Sequence, residues 1–328
     1  MGYTLTILPL STITDDCSPG LYNSTIHSGS DLDSLRELRP DLTLEKPSWT
    51  LDAYSNYATL VSSSQHIPPE DCHTITLPRI IASEMVDLQT SFLFTGKVRD
   101  AALDDLEEAI LSVPSQRAQV DHAFPLAGSG HRAWFIRMSS ASPKDSPEKM
   151  PVRSLRQMLR TLCTSRRVQS DIDFQFENSR PVQVFLRPWD PEMREGAVEF
   201  RAFVPPAFPI VGQSSERGPL RISAISQYVW HKPFPSRFDL RQTADIAVRG
   251  AHELLPRILE CAREAGVLEG VKKAGISFDV IVRDGECQLI EVNPFGSMSG
   301  CGSCLFQWVR DVRLLYGLEE KLEVRVLA

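Results

Sequence analysis

The stretch Ile276 to Gly296, ISFDVIVRDGECQLIEVNPFG, constrains the fold more than any other, because it distributes oxygen-bearing side chains over two runs with the period of a β-strand. In the first run Ile276, Phe278, Val280 and Val282 alternate with Ser277, Asp279, Ile281 and Arg283. In the second, Ile290 and Val292 alternate with Leu289, Glu291 and Asn293. Asp284-Gly285 between them is a turn signal, so the two runs form a hairpin. Its register decides whether the acids work together. A two-residue loop pairs Phe278 with Glu291 and sends Asp279 to the opposite face. A three-residue loop, Arg283-Asp284-Gly285 with Gly285 left-handed in a bulge, is the expectation: it groups Phe278, Val280, Val282, Ile290 and Val292 on one face and Asp279, Glu291 and Asn293 on the other. Two carboxylates and an amide oxygen form a hard-oxygen set suited to magnesium, which takes few protein ligands and completes its shell with phosphate and water. The alternative is a solvated polar face on an edge hairpin.

A chain of 328 residues, 42% hydrophobic and 23% charged, buries a core of one large or two modest domains. Its formal net charge of −7, without a Lys/Arg-rich run or zinc-finger spacing, argues against a nucleic-acid partner. No apolar stretch approaches the roughly 18 residues of a membrane span. The leading residues MGYTLTILPLST lack a basic leader and a long apolar run, so the cytosol is the expected location. The 7 cysteines are scattered and odd in number, unlike a disulfide framework. Cys301-Gly-Ser-Cys304 is a single CxxC without a second pair, and neither zinc nor redox use is expected of it.

Along the chain, Asp15 to Asp33 is loop-rich, and Trp49, Tyr54 and Tyr57 share a face of a short packing helix. Ile75 to Leu88 is a strand running into a helix near Pro78, and Arg99 to Val113 is an amphipathic helix with an acidic outer face. Ala133 to Met138 is a short strand that delivers Arg137 into the Ser-rich loop SSASPKDS. Backbone amides and a cationic head there could cradle phosphate, or the loop is plain surface. Val152 to Ser165 is a basic packing helix. Pro181 to Trp189 and Val198 to Val204 are strands, the latter carrying Glu199 and Arg201 on one face, and Leu220 to Trp230 is a third. Thr243 to Gly266 is a long helix ended by its glycine.

The order of a basic strand, a hinge strand, an E-F-R strand and a D-x-(11)-E-x-N hairpin resembles the ATP-grasp fold of glutathione synthetase and RimK-type ligases. More closely, FIRMSSASPKDS, VFLRPW, VEFRAFV, ISQY and FDVIVRDGECQLIEVNPFG resemble the hallmark stretches of the cell division cycle protein 123 family, in order from about Trp49 to Trp308. That resemblance implies an α+β protein of two lobes with ATP held between them: a variable segment 1–50, an N-terminal lobe 51–183 and a C-terminal lobe 184–328. It implies phosphate binding by Arg137 and Lys144, and an adenine hinge at Phe185, Leu186 and Arg187 with unpaired backbone groups. It also implies nucleotide contacts from Glu199 and Arg201, with Arg201 and Arg187 acting on the transferring phosphate, and magnesium on Asp279, Glu291 and Asn293. An arginine fork holds two phosphate oxygens and keeps its charge.

Departures shape the functional expectation. Arg137-Met138-Ser139-Ser140 stands where the family has a lysine-leucine-asparagine-tryptophan run, Glu291 stands for an aspartate as in RimK-like ligases, and GSMSGCGSC replaces a threonine-aspartate-serine segment. These favour an ATP-dependent carboxylate-amine ligase that activates an acid as its acyl phosphate, the acid and amine being unnamed by the sequence. The alternative is the family's own role, an ATP-binding chaperone that assists assembly of eukaryotic translation initiation factor 2, with its gamma subunit as the docking partner.

Overall fold

Chain contacts divide the protein into two units, a discontinuous one of Met1–Gln65 with Glu192–Ala328 and an inserted one of His66–Pro191. The computed structural model describes residues 2–14, 23, 27–42, 48–125, 133–193, 197–210 and 213–328. In chain order the discontinuous unit begins with β1 (Tyr3–Leu8), α1 (Leu10–Thr14), α2 (Gly29–Leu38) and α3 (Tyr54–Ser64). The inserted unit follows with β2 (His73–Leu77), α4 (Arg79–Thr95), α5 (Asp100–Ser112), α6 (Pro114–Ala123), β3 (Trp134–Arg137), α7 (Leu155–Cys163), α8 (Arg166–Glu177) and β4 (Val182–Pro188). The discontinuous unit resumes with β5 (Val198–Val204), β6 (Pro209–Ile210), β7 (Gln213–Arg217), β8 (Ala224–Gln227), α9 (Leu240–Glu264), α10 (Leu268–Ala274), β9 (Ile276–Arg283), β10 (Glu286–Pro294), α11 (Val312–Leu315) and β11 (Leu322–Leu327). Among the described residues no helix is long and apolar enough to cross a membrane.

In the inserted unit a three-stranded sheet of order β2-β4-β3 is antiparallel throughout. Helical periodicity decides which helix faces cover its core: Leu103, Leu106 and Ile110 of α5 are buried at helical spacing, with Met85, Trp134, Ile136, Leu159 and Val184. The outward acids of α5 have a use as well, since Asp100 accepts from Arg156 at 3.1 Å and from Arg160 at 2.5 Å on α7. Ser154 and Ser165 cap the first turns of α7 and α8 by accepting from Gln157 and Val168.

The discontinuous unit is built on a six-stranded sheet of order β1-β11-β8-β5-β9-β10. The chain's first and last strands lie parallel, and β5 sits between antiparallel neighbours β8 and β9. Seven of the eight β9 residues are buried, which explains a run of apolar residues broken only by Ser277 and Asp279. α9 packs on β5, β9 and β10. Asp239 caps its start, and Gly266, at φ +70°, follows its end. A Cβ at Gly250 would fall 2.1 Å from the Cβ of Cys287, so α9 approaches β10 there because no side chain intervenes.

Lobe limits at 50/51 and 183/184 do not coincide with the contact division. α3 packs on β10 and α9, which ties residues up to Gln65 to the discontinuous unit. β4 runs to Pro188 between β2 and β3, which keeps 184–188 in the inserted one. Of the segment Asp15 to Asp33, residues 15–22 and 24–26 lie outside the described residues, and its end enters α2 behind the capping Ser28.

Candidate functional site: an acid row on the large sheet

The hairpin forms, but not with the expected turn. Arg283 pairs with Glu286, so the loop is the two residues Asp284 and Gly285, at φ +53° and +80°. Two successive left-handed residues match the right-handed twist of the flanking strands, which a three-residue loop is not needed to supply. The acids nevertheless share a face, because the register shifts by one between Leu289 and Glu291. Val280 opposes Leu289, whereas Asp279 opposes Glu291, leaving Ile290 as the extra residue of a bulge. This corrects the apolar face as well. It consists of Phe278, Val280, Val282, Leu289 and Val292, with Leu289 fully buried and Ile290 only half-buried.

Directly opposed residues put their side chains on one face. A row therefore runs across the sheet from Ser226 on β8 through Arg201 on β5 and Asp279 on β9 to Glu291 on β10. Asp279 is wholly buried and Arg201 is 5% exposed. The arginine donates from Nε to Asp279 Oδ1 at 2.7 Å, from Nη2 to Oδ2 at 2.8 Å, and from Nη1 to the carbonyl of Gly302 at 2.9 Å. Asn293 donates its Nδ2 to the same Oδ2 at 3.0 Å. Burial alone works against the guanidinium charge, but the attraction and bonding of Asp279 outweigh it and hold the Arg201 pKa well above its ordinary value. The Tyr228 ring lies 5.0 Å from the guanidinium carbon, and burial raises its phenol pKa. Glu199, two residues before Arg201, shares its face and accepts the Tyr228 amide on its backbone carbonyl at 2.8 Å. The arginine fork foreseen for phosphate is thus turned onto Asp279.

The Gly-Ser-Cys segment after β10 closes against this row through Gly302. Burial pushes Cys301 to about 11 and Cys304 to about 12, so both thiols are protonated near neutrality.

The inserted unit carries the other expected residues. Arg137 opposes Phe185, and Arg187 opposes Phe135, whose ring centroid lies 5.5 Å from the Arg187 guanidinium carbon. Lys144 is exposed. Phe185 and Leu186 have ladder partners on both sides, in β2 and β3, so the unpaired hinge groups expected at those two residues are not presented. The cause is the central place of β4, and Arg187 alone of the three lies beyond the last β2 pair, His73 with Leu186.

Sequence reasoning missed Asp171. This buried acid accepts the backbone amides of Ser140 at 2.5 Å and Ala141 at 3.0 Å, and the Gln175 side chain at 2.8 Å. The amides foreseen as a phosphate cradle therefore hold a carboxylate of the chain itself. Burial raises the Asp171 pKa against these bonds. Val168, Asp171, Ile172 and Gln175 recur at i, i+3, i+4 and i+7 on the buried face of α8, and an acid inside that pattern was the available signal.

Among the described residues no group of three or more His, Cys, Asp or Glu is arranged to hold a metal. The acid row offers less than that and of a different kind: Glu291 beside Asp279, and the amide of Asn293, whose nitrogen is committed to Asp279 and whose other end is an oxygen. Two carboxylates against one guanidinium leave the row a net anion, and hard oxygen donors in that number fit a magnesium ion that brings phosphate and water as its remaining ligands.

No family model and no curated protein matches the chain. Among solved structures it is similar to Cdc123 from Schizosaccharomyces pombe, at 18% identity and a TM-score of 0.54, over 87% of this chain and 100% of that one. A C-terminally truncated Cdc123 from the same organism is similar at 19% identity and a TM-score of 0.52, over 87% and 99%. A more distant likeness is to D-alanine-D-alanine ligase from Helicobacter pylori, at 17% identity and a TM-score of 0.32, over 66% and 57%. The first two establish a shared fold, and the mixed α+β class expected from the resemblance is the one observed.

Proposed function

We propose that the protein binds magnesium-ATP and uses it to hold a conformation rather than to transfer phosphate. The observation that supports this is the commitment of Arg201 to Asp279 and Gly302, which leaves the acid row built for a cation and its fork turned away from a phosphoryl group. In this reading Glu291 and Asn293 are the oxygen donors to magnesium. Asp279 orients Asn293 and adds charge, and Arg201 keeps Asp279 ionised. The ion, when bound, neutralises phosphate oxygens. The resemblance assigns phosphate binding to Arg137 and Lys144 and the adenine to Arg187. The biological setting that the Cdc123 likeness supports is ATP-dependent assembly of translation initiation factor 2 through its gamma subunit.

A second reading is favoured by Glu291, the acid that RimK-like ligases use there: activation of a carboxylate as its acyl phosphate and capture by an amine. One experiment separates the two. Purified protein is incubated with ATP, magnesium and pooled amino acids and small acids, and ADP and new amide masses are read together with ATP affinity by calorimetry. Binding without turnover is expected. ADP with a new amide establishes the ligase, and absence of ATP affinity removes both readings.

A further inference from the structure

We infer that Ser64 and Gln65, at the end of α3, are positioning residues that set the β10 bulge and thereby seat Glu291 in the acid row, an inference that rests on the magnesium-ATP reading. β10 is an edge strand of the six-stranded sheet, so among the described residues the outward backbone groups of Leu289 have no further strand to meet. They meet side chains instead. The Leu289 amide donates to Ser64 Oγ at 2.9 Å, and its carbonyl accepts Gln65 Nε2 at 2.6 Å. The Ser64 hydroxyl hydrogen is directed to the Val61 carbonyl at 2.9 Å within its own helix, which leaves a lone pair turned to the Leu289 amide. Gln65 is 7% exposed and Leu289 is wholly buried.

The clamp grips the peptide at which the ladder breaks. Leu289 opposes Val280 before the break, and Val292 opposes Phe278 after it, so two residues, Ile290 and Glu291, share the place across from Asp279. The core is indifferent to which of them faces the row, because Leu289 and Val292 stay buried either way. Hydrophobic burial therefore cannot select Glu291. The orientation of the Leu289–Ile290 peptide can, and that peptide's carbonyl is the one Gln65 holds. A bulge one residue later puts Ile290 across from Asp279 and takes Glu291 out of the row, which deprives a cation of its donor without touching the core.

Deleting Ile290 provides a rescue that a merely structural role does not predict. With that residue gone, Leu289 opposite Val280 is followed directly by Glu291 opposite Asp279, and the ladder is regular without the clamp. The experiment compares wild type, Glu291→Gln, the double variant Ser64→Ala/Gln65→Ala, and the double variant with Ile290 deleted. Calorimetry measures ATP affinity with magnesium and with the metal chelated, and hydrogen exchange follows the Leu289 amide. The double variant is expected to expose the Leu289 amide and to lose at least about tenfold of the magnesium-dependent affinity, with metal-free ATP affinity unchanged, and the deletion to restore it. Glu291→Gln losing magnesium dependence while the double variant keeps it overturns the positioning role and leaves the nucleotide reading standing. So does a deletion that restores nothing. Equal magnesium dependence in wild type and Glu291→Gln overturns both.

Discussion

Two aspartates, Asp279 on β9 and Asp171 on α8, are wholly buried, and their surroundings differ in one respect that decides their work. Asp279 lies in the fork of a guanidinium, with an amide as its third bond. Among the described residues, the donors bonded to Asp171 are neutral, two backbone amides and Gln175, and the charge of Arg137 is the smallest influence on its carboxyl. A buried carboxylate with a cation stays ionised and lends its charge to what is built beside it. One held by neutral donors is driven toward its protonated form by burial and serves as an anchor. The first sits in a row with Glu291, and the second ties down a loop.

The largest expected effect comes from taking the cation away from Asp279. Arg201→Ala leaves a buried carboxylate without its ion pair, a change that costs about 3–5 kcal/mol in such settings. Urea unfolding of the full chain measures it. Arg201→Lys keeps the charge but loses the fork and should recover part of the loss. A destabilisation below about 1 kcal/mol for the alanine variant, in the range of exposed pairs, would show that the two aspartates are not differently held after all.

Next in size is Glu291→Gln, which removes one charge from the row with almost no change in volume. Magnesium-dependent ATP affinity should fall at least about tenfold, or roughly 1.4 kcal/mol, while unfolding stability moves by less than about 0.5 kcal/mol, as for ordinary surface substitutions. Asp171→Asn in the other unit should leave the magnesium dependence alone. A tenfold loss in that variant instead would erase the distinction between site acid and anchor.

How far the sequence disclosed this contrast depends on which partners are local. Apolar runs marked β3 and β4, alternation marked β5 and β9, helical spacing marked α5 and a glycine stop marked the end of α9, because each of those signals is local to its own element. The same alternation announced Asp279 as an acid inside an apolar run. It could not announce the bulge, since the groups that hold Leu289 come from Ser64 and Gln65, 225 and 224 residues away. Nor does any local pattern place β4 between β2 and β3, which removed the open hinge backbone at Phe185 and Leu186. The fork of Arg201 was legible as a donor, but its acceptor within the chain was not, because the cross-strand register that sets Asp279 opposite it is not local. Asp171 was legible in principle from its i, i+3, i+4, i+7 companions.

A smaller effect sharpens the comparison through pH. Because burial raises the Asp171 pKa in the folded state, the folded chain takes up a proton more readily there than the unfolded chain does. Stability from this group is therefore greatest where the folded carboxyl is protonated, and it falls as pH rises from the ordinary carboxylate range through the raised value. Asp171→Asn removes that slope. Urea titrations of wild type and variant across the acid range should differ in slope between the ordinary carboxylate range and the raised pKa and run parallel on either side of that window. A wild-type curve whose stability rises with pH over that window, with the variant flat, would reverse the assignment and make Asp171 a charge-paired acid like Asp279.

The smallest effect is expected at Cys304, and its smallness is informative. The thiols of Cys301 and Cys304 lie within electrostatic reach of Arg201 and Asp279, and the proposed chemistry does not use them. A cation lowers a thiol pKa, but here burial and the neighbouring acids prevail and the values rise to about 11 and about 12. At pH 7.5 the thiolate fraction is then far below that of an ordinary cysteine, and alkylation should be correspondingly slow. Cys304→Ser should leave ATP affinity with magnesium unchanged, since neither a metal bond nor a redox step passes through the sulfur. Rapid alkylation of either cysteine in the folded chain, or a loss of magnesium-dependent affinity in the serine variant with stability retained, would place a thiol in the row and extend the site acid's charge network beyond Arg201.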